Sequence, residues 1–348
     1  MEFYKVANLI KPKKIVIEEF KKPEIESDEA LIKVNYAGIC GTDIAIYNGD
    51  YKVPLPLILG HEFTGEIIEV GEDVSNKLIG KRITAEINNT CLSYPKSIKC
   101  PACKKGLSTH CLERTVLGII NANGTFAQFV KVPAKNIHTL PDNISDEEGV
   151  FIEPLAAAIQ TFELSKFKIG DKVIVLGVGR LGVLICSVAN SLGADIIAIS
   201  RSKEKLERAK SYGASKVINT NDLNLVSKVK ELTDGLGADI VVESTGSEKG
   251  FNLAINLVRP RGTVALKSTH GILINNVDQT KIVVDEIRIQ GSRCGPFSKA
   301  IEFLNSKKID VKPLISEIFP LDETEKALRI AQQKIKILIK CNKISKYF

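Results

Sequence analysis

The sequence predicts an α/β protein of two domains, a β-rich domain followed by a doubly wound parallel sheet. The chain has 348 residues, and one hydrophobic core usually stops growing at about 250–300 residues. The pattern also changes after Pro154, from short β-branched runs to strand-like and helix-like segments in alternation. Length and pattern therefore both favour two domains of different architecture.

The first part of the chain carries the β-rich pattern. Clusters of Gly, Pro and Asn, such as Asn48-Gly49-Asp50, separate its strand-like runs. These runs cover residues 15–17, 30–35, 64–70 and 127–132. Short strands punctuated in this way predict an antiparallel barrel or sandwich.

The second part alternates between the two kinds of element. The predicted strands are 172–176, 196–200, 214–218, 240–243 and 262–267, and the predicted helices are 181–192, 203–212, 223–233 and 249–257. This order is typical of a doubly wound parallel sheet. A helix over 323–333 and a basic strand over 334–340 are predicted to follow.

Composition narrows the function classes. A hydrophobic content of 44% against 26% charged residues indicates a globular protein. No apolar run reaches the roughly 18 residues of a membrane span, and the N-terminus lacks the apolar stretch of a secretory signal, so we expect a cytoplasmic protein. The net charge is +7, but the 48 Lys and Arg residues are scattered among 41 Asp and Glu residues and form no cluster with aromatic residues. This distribution argues against a nucleic-acid partner.

Three potential metal ligands lie in two short motifs. Cys40 stands within Gly38-Ile-Cys-Gly-Thr-Asp43, and His61 and Glu62 follow Gly60. Sulfur, imidazole and carboxylate donors suit the tetrahedral shell of zinc, and a catalytic site leaves one position for water or substrate. The two motifs therefore indicate a catalytic zinc site.

A second cysteine group indicates a structural zinc site. Cys100, Cys103 and Cys111 have the spacing C-x2-C-x7-C, and Cys91 is the candidate fourth ligand. A closed thiolate shell stabilises the fold rather than doing chemistry. Reduced loop thiols, a redox pair and ligation by His110 are the weaker alternatives.

A dinucleotide fingerprint follows the first strand of the second part. Gly177, Gly179 and Gly182 form G-x-G-x-x-G between a predicted strand and a predicted helix, with Arg180 and Leu181 inside it. In that context the glycines allow a tight turn, approach of a pyrophosphate, and packing of helix on strand.

The end of the next strand predicts the cofactor. An NAD site expects a carboxylate there, but the sequence has Ser200, Arg201 and Ser202, whereas Asp195 lies at the opposite end of the strand. A guanidinium can hold a 2′-phosphate bidentately. The sequence therefore favours NADP, with NAD as the alternative.

Taken together, these motifs resemble the zinc-dependent medium-chain alcohol dehydrogenase/reductase superfamily over nearly the whole chain. Glu153-Pro-Leu155, at a position where the ethanol-type branch has a zinc cysteine, is similar to the polyol, threonine and glucose dehydrogenase branches. The resemblance implies a GroES-like β-barrel catalytic domain over residues 1–150, completed by 296–348. It also implies a Rossmann domain over 151–295, with the active site in the cleft between the domains.

The same resemblance implies roles for individual residues. Cys40 and His61 would ligate zinc, while Glu62 and Glu153 would compete with water for the remaining positions. Thr42 would take the proton of the alcohol, and Asp43 would orient His61. Zinc would act as a Lewis acid while hydride passes to the nicotinamide.

The chain departs from the family pattern at two positions. Ser97 occupies the place of the first cysteine of the structural zinc lobe, so Cys91 can complete that shell only if residues 92–99 form an inserted loop. Ala45 replaces the histidine of the ethanol-type proton relay, so the proton would leave by the cofactor ribose, water or Glu153.

The sequence thus predicts an NADP-preferring, zinc-dependent oxidoreductase acting on a secondary alcohol, polyol or sugar. The alternatives are an NAD-dependent polyol or amino-alcohol dehydrogenase and a non-catalytic dinucleotide-binding protein. We expect a small-molecule alcohol or carbonyl substrate, no membrane or nucleic-acid partner and, by analogy with relatives, a homodimer or homotetramer.

Overall fold

The computed structural model describes residues 3–95, 97–268 and 274–342. Its contacts divide the chain into two compact units. Unit 1 comprises Met1–Glu153 and Ile301–Phe348, and unit 2 comprises Pro154–Ala300.

The N-terminal segment of unit 1 consists of short strands and three short helices. The strands are β1 (Phe3–Lys11), β2 (Lys14–Lys21), β3 (Glu29–Gly38), β4 (Leu57–Ile58), β5 (Glu62–Val70), β6 (Arg82–Ala85), β7 (Asn88–Asn89), β8 (Thr115–Leu117), β9 (Asn121–Ala122), β10 (Phe129–Pro133) and β11 (Ile137–Thr139). The helices are α1 (Gly41–Asn48), α2 (Pro101–Lys104) and α3 (Asp146–Gly149).

Unit 2 alternates strands with helices, beginning with a helix that crosses the boundary between the units. Its strands are β12 (Lys172–Leu176), β13 (Asp195–Ser200), β14 (Lys216–Asn219), β15 (Ala238–Glu243), β16 (Val258–Leu266) and β17 (Arg288–Gly291). Its helices are α4 (Ile152–Leu164), α5 (Arg180–Ser191), α6 (Lys203–Ser211), α7 (Leu225–Leu232), α8 (Glu248–Leu257), α9 (Gln279–Val284) and α10 (Phe297–Asn305), and α10 also crosses a boundary between the units.

The C-terminal segment returns to unit 1 with β18 (Ile315–Pro320), α11 (Thr324–Ala331) and β19 (Lys336–Lys340). A seven-stranded sheet has the order β11-β6-β5-β3-β19-β18, with β10 also paired to β3. Three-stranded sheets of order β2-β1-β4 and β7-β8-β9 accompany it. The long strand β3 pairs antiparallel with β5, β10 and β19, so residues distant in sequence meet along it.

Unit 2 contains a six-stranded parallel sheet of order β14-β13-β12-β15-β16-β17. The central strands β12, β13 and β15 are rich in Val and Ile because helices cover both faces of such a sheet. Strand order reverses between β12 and β15, which is where doubly wound sheets bind ligands at their carboxyl edge. The predicted α/β fold class is confirmed.

Three elements near the domain boundaries, the helices α4 and α10 and the strand β17, were not predicted from the pattern. Helix α4 begins just before Pro154, a residue that suggested a break. Proline is tolerated in the first turn of a helix because the amide it lacks has no intrahelical partner there. The edge strand β17 was missed because its four residues, Arg-Ile-Gln-Gly, carry no strand periodicity.

Candidate metal centres and dinucleotide site

The register of β3 on β5 assembles the first group of potential metal ligands. Gly38, the last residue of β3, pairs with Glu62, the first residue of β5, so the chain after β3 lies beside the chain before β5. Donor atoms of Cys40, His61 and Glu62 consequently lie within 4.8 Å of one another. His61 is 3% exposed and Glu62 is 1% exposed, whereas Cys40 is partly accessible. We call these three residues the mixed group.

Asp43 lies behind the mixed group and is 0% exposed. Its Oδ2 accepts a hydrogen bond from the Cys40 backbone N–H at 2.8 Å, and its Oδ1 accepts one from the Gly60 N–H at 3.2 Å. The same Oδ1 is 3.4 Å from Nδ1 of His61. A carboxylate beside one ring nitrogen holds the imidazole proton there and leaves the other nitrogen as a lone-pair donor.

The electrostatics of this group are those of a buried anionic site. Burial opposes charging of His61, but the Asp43 carboxylate and the Cys40 sulfur outweigh it and raise the pKa of the imidazole well above its usual value. Burial, followed by the charge of Glu62, raises the pKa of the Cys40 thiol. A divalent cation at such a site offsets the negative charge and displaces these protons.

Lys336 is a site residue that the sequence analysis missed. Its ammonium forms a buried ion pair with the Glu62 carboxylate and lies 5.4 Å from the centre of the Phe151 ring. The sequence analysis placed Lys336 in a basic strand, but the pattern of residues in that strand does not indicate that Glu62, 274 positions away, is its partner.

Two further predicted residues differ in how the structure relates them to the mixed group. Thr42 follows Cys40 at the start of α1, and its Oγ1 is 3.9 Å from the Cys40 sulfur. Glu153 is partly buried in the first turn of α4, and its carboxylate is not among the donor atoms clustered around Cys40. A ligand role for Glu153 therefore stays a prediction.

The second group of potential ligands consists of sulfur atoms alone. Cys91, Cys100, Cys103 and Cys111 are all buried, and their sulfurs lie within 4.8 Å of one another. We call these four residues the thiol group. Cys91 belongs to it together with the three cysteines of the C-x2-C-x7-C spacing, whereas His110 is exposed and lies outside it.

Backbone amides point at these sulfurs. The Cys91 N–H donates to the Cys111 sulfur at 3.5 Å, the Cys100 N–H to the Cys91 sulfur at 3.4 Å, and the Leu112 N–H to the Cys100 sulfur at 3.5 Å. Hydrogen bonds from the Cys103 and Leu112 amides lower the pKa of Cys100 to about 6. Such donors stabilise thiolates, the form that binds zinc.

The dinucleotide loop has the geometry that the fingerprint predicts. Gly177 has φ +97°, a left-handed conformation that favours glycine. A Cβ on Gly182 would lie 2.0 Å from the Gly177 carbonyl oxygen, so α5 packs there only without a side chain. A Cβ on Gly179 would meet no atom within 4 Å, which leaves open space beside the N-terminus of α5 for a phosphate.

The three residues predicted to select the cofactor follow in order at the end of β13. Ser200 is its buried last residue, Arg201 is exposed, and Ser202 caps α6. The Arg201 carbonyl accepts a hydrogen bond from the Asn219 side chain at 3.1 Å, which ties this turn to β14. Asp195 begins β13 at the opposite edge of the sheet, where its carboxylate pairs with Lys172.

Both groups of donors fit zinc by their chemistry. The mixed group offers the N, S and O donors of a catalytic site, and the thiol group offers the four sulfurs of a structural site. Across the described residues, no helix is both long and apolar enough to span a membrane.

Comparisons with known proteins agree with this arrangement. The family model described as "Alcohol dehydrogenase GroES-like domain" matches residues 26–142, and the model described as "Zinc-binding dehydrogenase" matches residues 181–306. A sorbitol dehydrogenase of Halalkalibacterium halodurans is 33% identical over 330 residues, which cover 93% of this chain and 94% of the relative.

Solved structures share the whole architecture. A protein assigned as a zinc-binding dehydrogenase from Sinorhizobium meliloti 1021, bound to NADP, superposes with a TM-score of 0.90 at 28% identity and covers 98% of this chain and 100% of its own. An alcohol dehydrogenase of Escherichia coli CFT073, complexed with NADH, gives a TM-score of 0.90 at 29% identity with the same coverage of both chains. The chain therefore belongs to the zinc-dependent medium-chain alcohol dehydrogenase/reductase superfamily, in its polyol/threonine dehydrogenase branch, and is an NAD(P)-dependent alcohol dehydrogenase.

Proposed function

We propose that this protein is an NADP-preferring, zinc-dependent dehydrogenase that interconverts a secondary alcohol, polyol or sugar with its carbonyl form. The observation that carries the proposal is the mixed group, in which three different donor types lie within 4.8 Å of one another. A binding protein would have no need of such an open donor set. The similarity to a sorbitol dehydrogenase supports a polyol as the substrate class.

The residues of the mixed group would divide the work among them. Zinc, when bound, supplies a Lewis acid that polarises the substrate oxygen. Cys40 and His61 would hold the metal, and Asp43, whose Oδ1 is 3.4 Å from Nδ1 of His61, would orient the imidazole. Thr42 provides the hydroxyl next to Cys40 that would hold the substrate proton.

Glu62 has two competing partners in this proposal. Its carboxylate pairs with Lys336 in the structure, and the same carboxylate contributes to the donor set of the mixed group. We assign Glu62 as an exchangeable ligand and Lys336 as the cation that stabilises it when it is withdrawn from the metal. Glu153 is the alternative carboxylate for that position.

The thiol group would bind a second, structural zinc through Cys91, Cys100, Cys103 and Cys111. Its support is the closed set of buried sulfurs together with the amide hydrogen bonds that they accept. In this role the metal adds stability to unit 1 and takes no part in the reaction.

The turn after β13 supports NADP as the preferred cofactor. A carboxylate at Ser200 would repel a 2′-phosphate, and the exposed Arg201 next to it can bind one. Structural neighbours bind NADP in one case and NADH in another, so NAD is the competing assignment.

Removal of the metal tests the zinc mechanism. We expect two zinc ions per chain by elemental analysis, and dialysis against a strong chelator should abolish turnover until zinc is restored. Activity that persists in metal-free protein would refute the mechanism.

Replacement of Arg201 tests the choice of cofactor. We expect Arg201→Ala to weaken NADP binding by about tenfold or more, because a charge-assisted contact is lost, while NAD binding changes little. Lys210→Ala, at the far end of α6, is the matched control and should affect neither cofactor. Equal losses for NADP and NAD in Arg201→Ala would contradict the 2′-phosphate role.

We also propose that the enzyme works in the cytoplasm as a homodimer or homotetramer. All eight cysteines lie in the described part of the chain, and none forms a disulfide, as a reducing compartment requires. The assembly rests on the family resemblance alone, and light scattering during gel filtration measures it directly.

A further inference from the structure

Asn219 is a polar residue at the carboxyl edge of the parallel sheet of unit 2 that the sequence analysis did not single out. It is the last residue of β14 and pairs in parallel register with Ser200, the last residue of β13. The pairing continues beyond both strands, since the Thr220 N–H donates to the Ser200 carbonyl at 3.1 Å. Asn219 therefore lies directly beside the turn that is predicted to select the cofactor.

Both ends of the Asn219 side-chain amide take part in hydrogen bonds. Its Nδ2 donates to the Arg201 carbonyl oxygen at 3.1 Å, and its Oδ1 accepts from the Asn221 N–H at 2.9 Å. The donor end faces a carbonyl and the acceptor end faces an N–H, so the two contacts agree on the orientation of the amide. Asn219 thus joins the turn after β13 to the turn after β14.

The turn after β13 is also anchored on each side of Arg201. Ser200 belongs to the strand ladder, and the Ser202 hydroxyl caps α6 by accepting a hydrogen bond from the Lys205 N–H at 3.4 Å. Arg201 stands between these two anchors and is exposed, and the bond from Asn219 holds its carbonyl. Contacts on three consecutive residues therefore fix the backbone from which the guanidinium extends.

A fixed backbone matters more for an arginine that binds a phosphate than for most surface residues. Ordering a mobile turn together with a long side chain opposes binding, and the fork of a guanidinium binds phosphate best in one geometry. An arginine on a turn that is already ordered therefore binds phosphate at a lower entropic cost. NAD has a hydroxyl where NADP has the 2′-phosphate, so this gain applies to NADP alone.

We propose that Asn219 is a positioning residue for cofactor selection, which holds the backbone of Arg201 so that the guanidinium meets the 2′-phosphate of NADP. Asn219 has no contact with the phosphate in this assignment, and its whole effect passes through Arg201. The inference rests on the 2′-phosphate role that the proposed function gives to Arg201. It adds a residue on the neighbouring strand to the determinants of cofactor preference.

Equilibrium binding of NADP⁺ and NAD⁺ to the zinc-loaded enzyme tests the proposal. Dissociation constants are measured by calorimetry for the wild type, Asn219→Ala and Asn219→Leu; leucine is similar in size to asparagine and serves if the alanine variant does not fold. We expect both variants to bind NADP⁺ roughly threefold to tenfold more weakly, as for the loss of one neutral hydrogen bond, while NAD⁺ binding changes by less than about twofold. Asn224→Ala, an exposed residue of the same connection between β14 and α7, is the matched control and should affect neither cofactor.

A double variant tests whether Asn219 acts through Arg201. Once the guanidinium is removed, the position of the backbone at residue 201 no longer matters for the phosphate, so the two losses should not add. Adding Asn219→Ala to Arg201→Ala should therefore change the ratio of the NADP⁺ and NAD⁺ dissociation constants by less than about twofold. A merely structural role of Asn219 would instead weaken the binding of both cofactors in either background.

Three results would overturn the proposal: equal weakening of NADP⁺ and NAD⁺ in the Asn219 variants, unchanged NADP⁺ binding in those variants, or the same loss of NADP⁺ binding in the Arg201→Ala background. An Arg201→Ala variant with the wild-type ratio of the two dissociation constants would instead overturn the cofactor assignment of the proposed function.

Discussion

The mixed group and the thiol group of unit 1 are assembled in opposite ways. The thiol group comes from one continuous segment, with Cys91 and Cys111 only 20 positions apart, and backbone amides of the same segment donate to its sulfurs. The mixed group depends on the pairing of β3 with β5 and is supported by side chains from other elements, Asp43 of α1 and Lys336 of β19.

The difference follows from what each group has to do. Four thiolates satisfy a metal completely, so a short loop with correct spacing is enough. A reactive site must leave one coordination position open and still stabilise buried charge, which requires partners that a local segment does not contain. The mixed group therefore depends on the fold of unit 1 as a whole, whereas the thiol group contributes to the stability of that fold.

The largest expected effect is the loss of catalysis when the mixed group is broken. Cys40→Ala should lower kcat by about a thousandfold or more, because metal charge stabilisation amounts to several kcal/mol. NADP binding and the thermal midpoint should remain close to those of the wild type, and the zinc content should fall by one per chain. Cys341→Ala, a buried cysteine outside both groups, is the control. Retention of activity in Cys40→Ala would place the reactive metal elsewhere.

Breaking the thiol group should affect stability instead. We expect Cys103→Ala to lose one zinc and to lower the free energy of unfolding by about 3 kcal/mol or more, since a metal site contributes its binding energy to folding. The thermal midpoint should then fall by roughly 6–12 °C. Activity per folded, metal-loaded molecule at low temperature should stay within a few fold of the wild type. A selective loss of kcat with an unchanged midpoint would erase the distinction between the two groups.

The smallest expected effect concerns the buried ion pair between Lys336 and Glu62, which has no counterpart in the thiol group. Lys336→Met leaves the Glu62 carboxylate without its cation, and removal of one partner of a buried pair costs about 3 kcal/mol. The double variant Glu62→Gln/Lys336→Met should recover part of that loss, and Lys336→Arg should retain most of the stability. Denaturant unfolding of the four proteins gives the coupling energy. Additive effects would show that the two side chains act independently.

Local patterns predicted most of the fold and the identity of the potential ligands. The strand runs at 30–35 and 172–176 lie within or coincide with β3 and β12, and the C-x2-C-x7-C spacing identified three of the four thiols. The G-x-G-x-x-G motif was predictable because its glycines are required by contacts within one βα turn. Among the elements that the sequence missed, α4 begins beside a proline that suggests a break, and β17 is too short to show a period.

By itself, the sequence determined the chemistry available to this protein, because spacing and residue type act over a few residues along the chain. It named Cys40, His61, Glu62, the thiol group and Ser200-Arg201 as candidates. Only the tertiary structure decided how the charges of these groups are stabilised. The pairing of Lys336 with Glu62 joins positions 274 apart along the chain. A charged side chain that is buried away from water needs a partner, and the sheet topology decides which strand supplies it. No local sequence pattern contains that information.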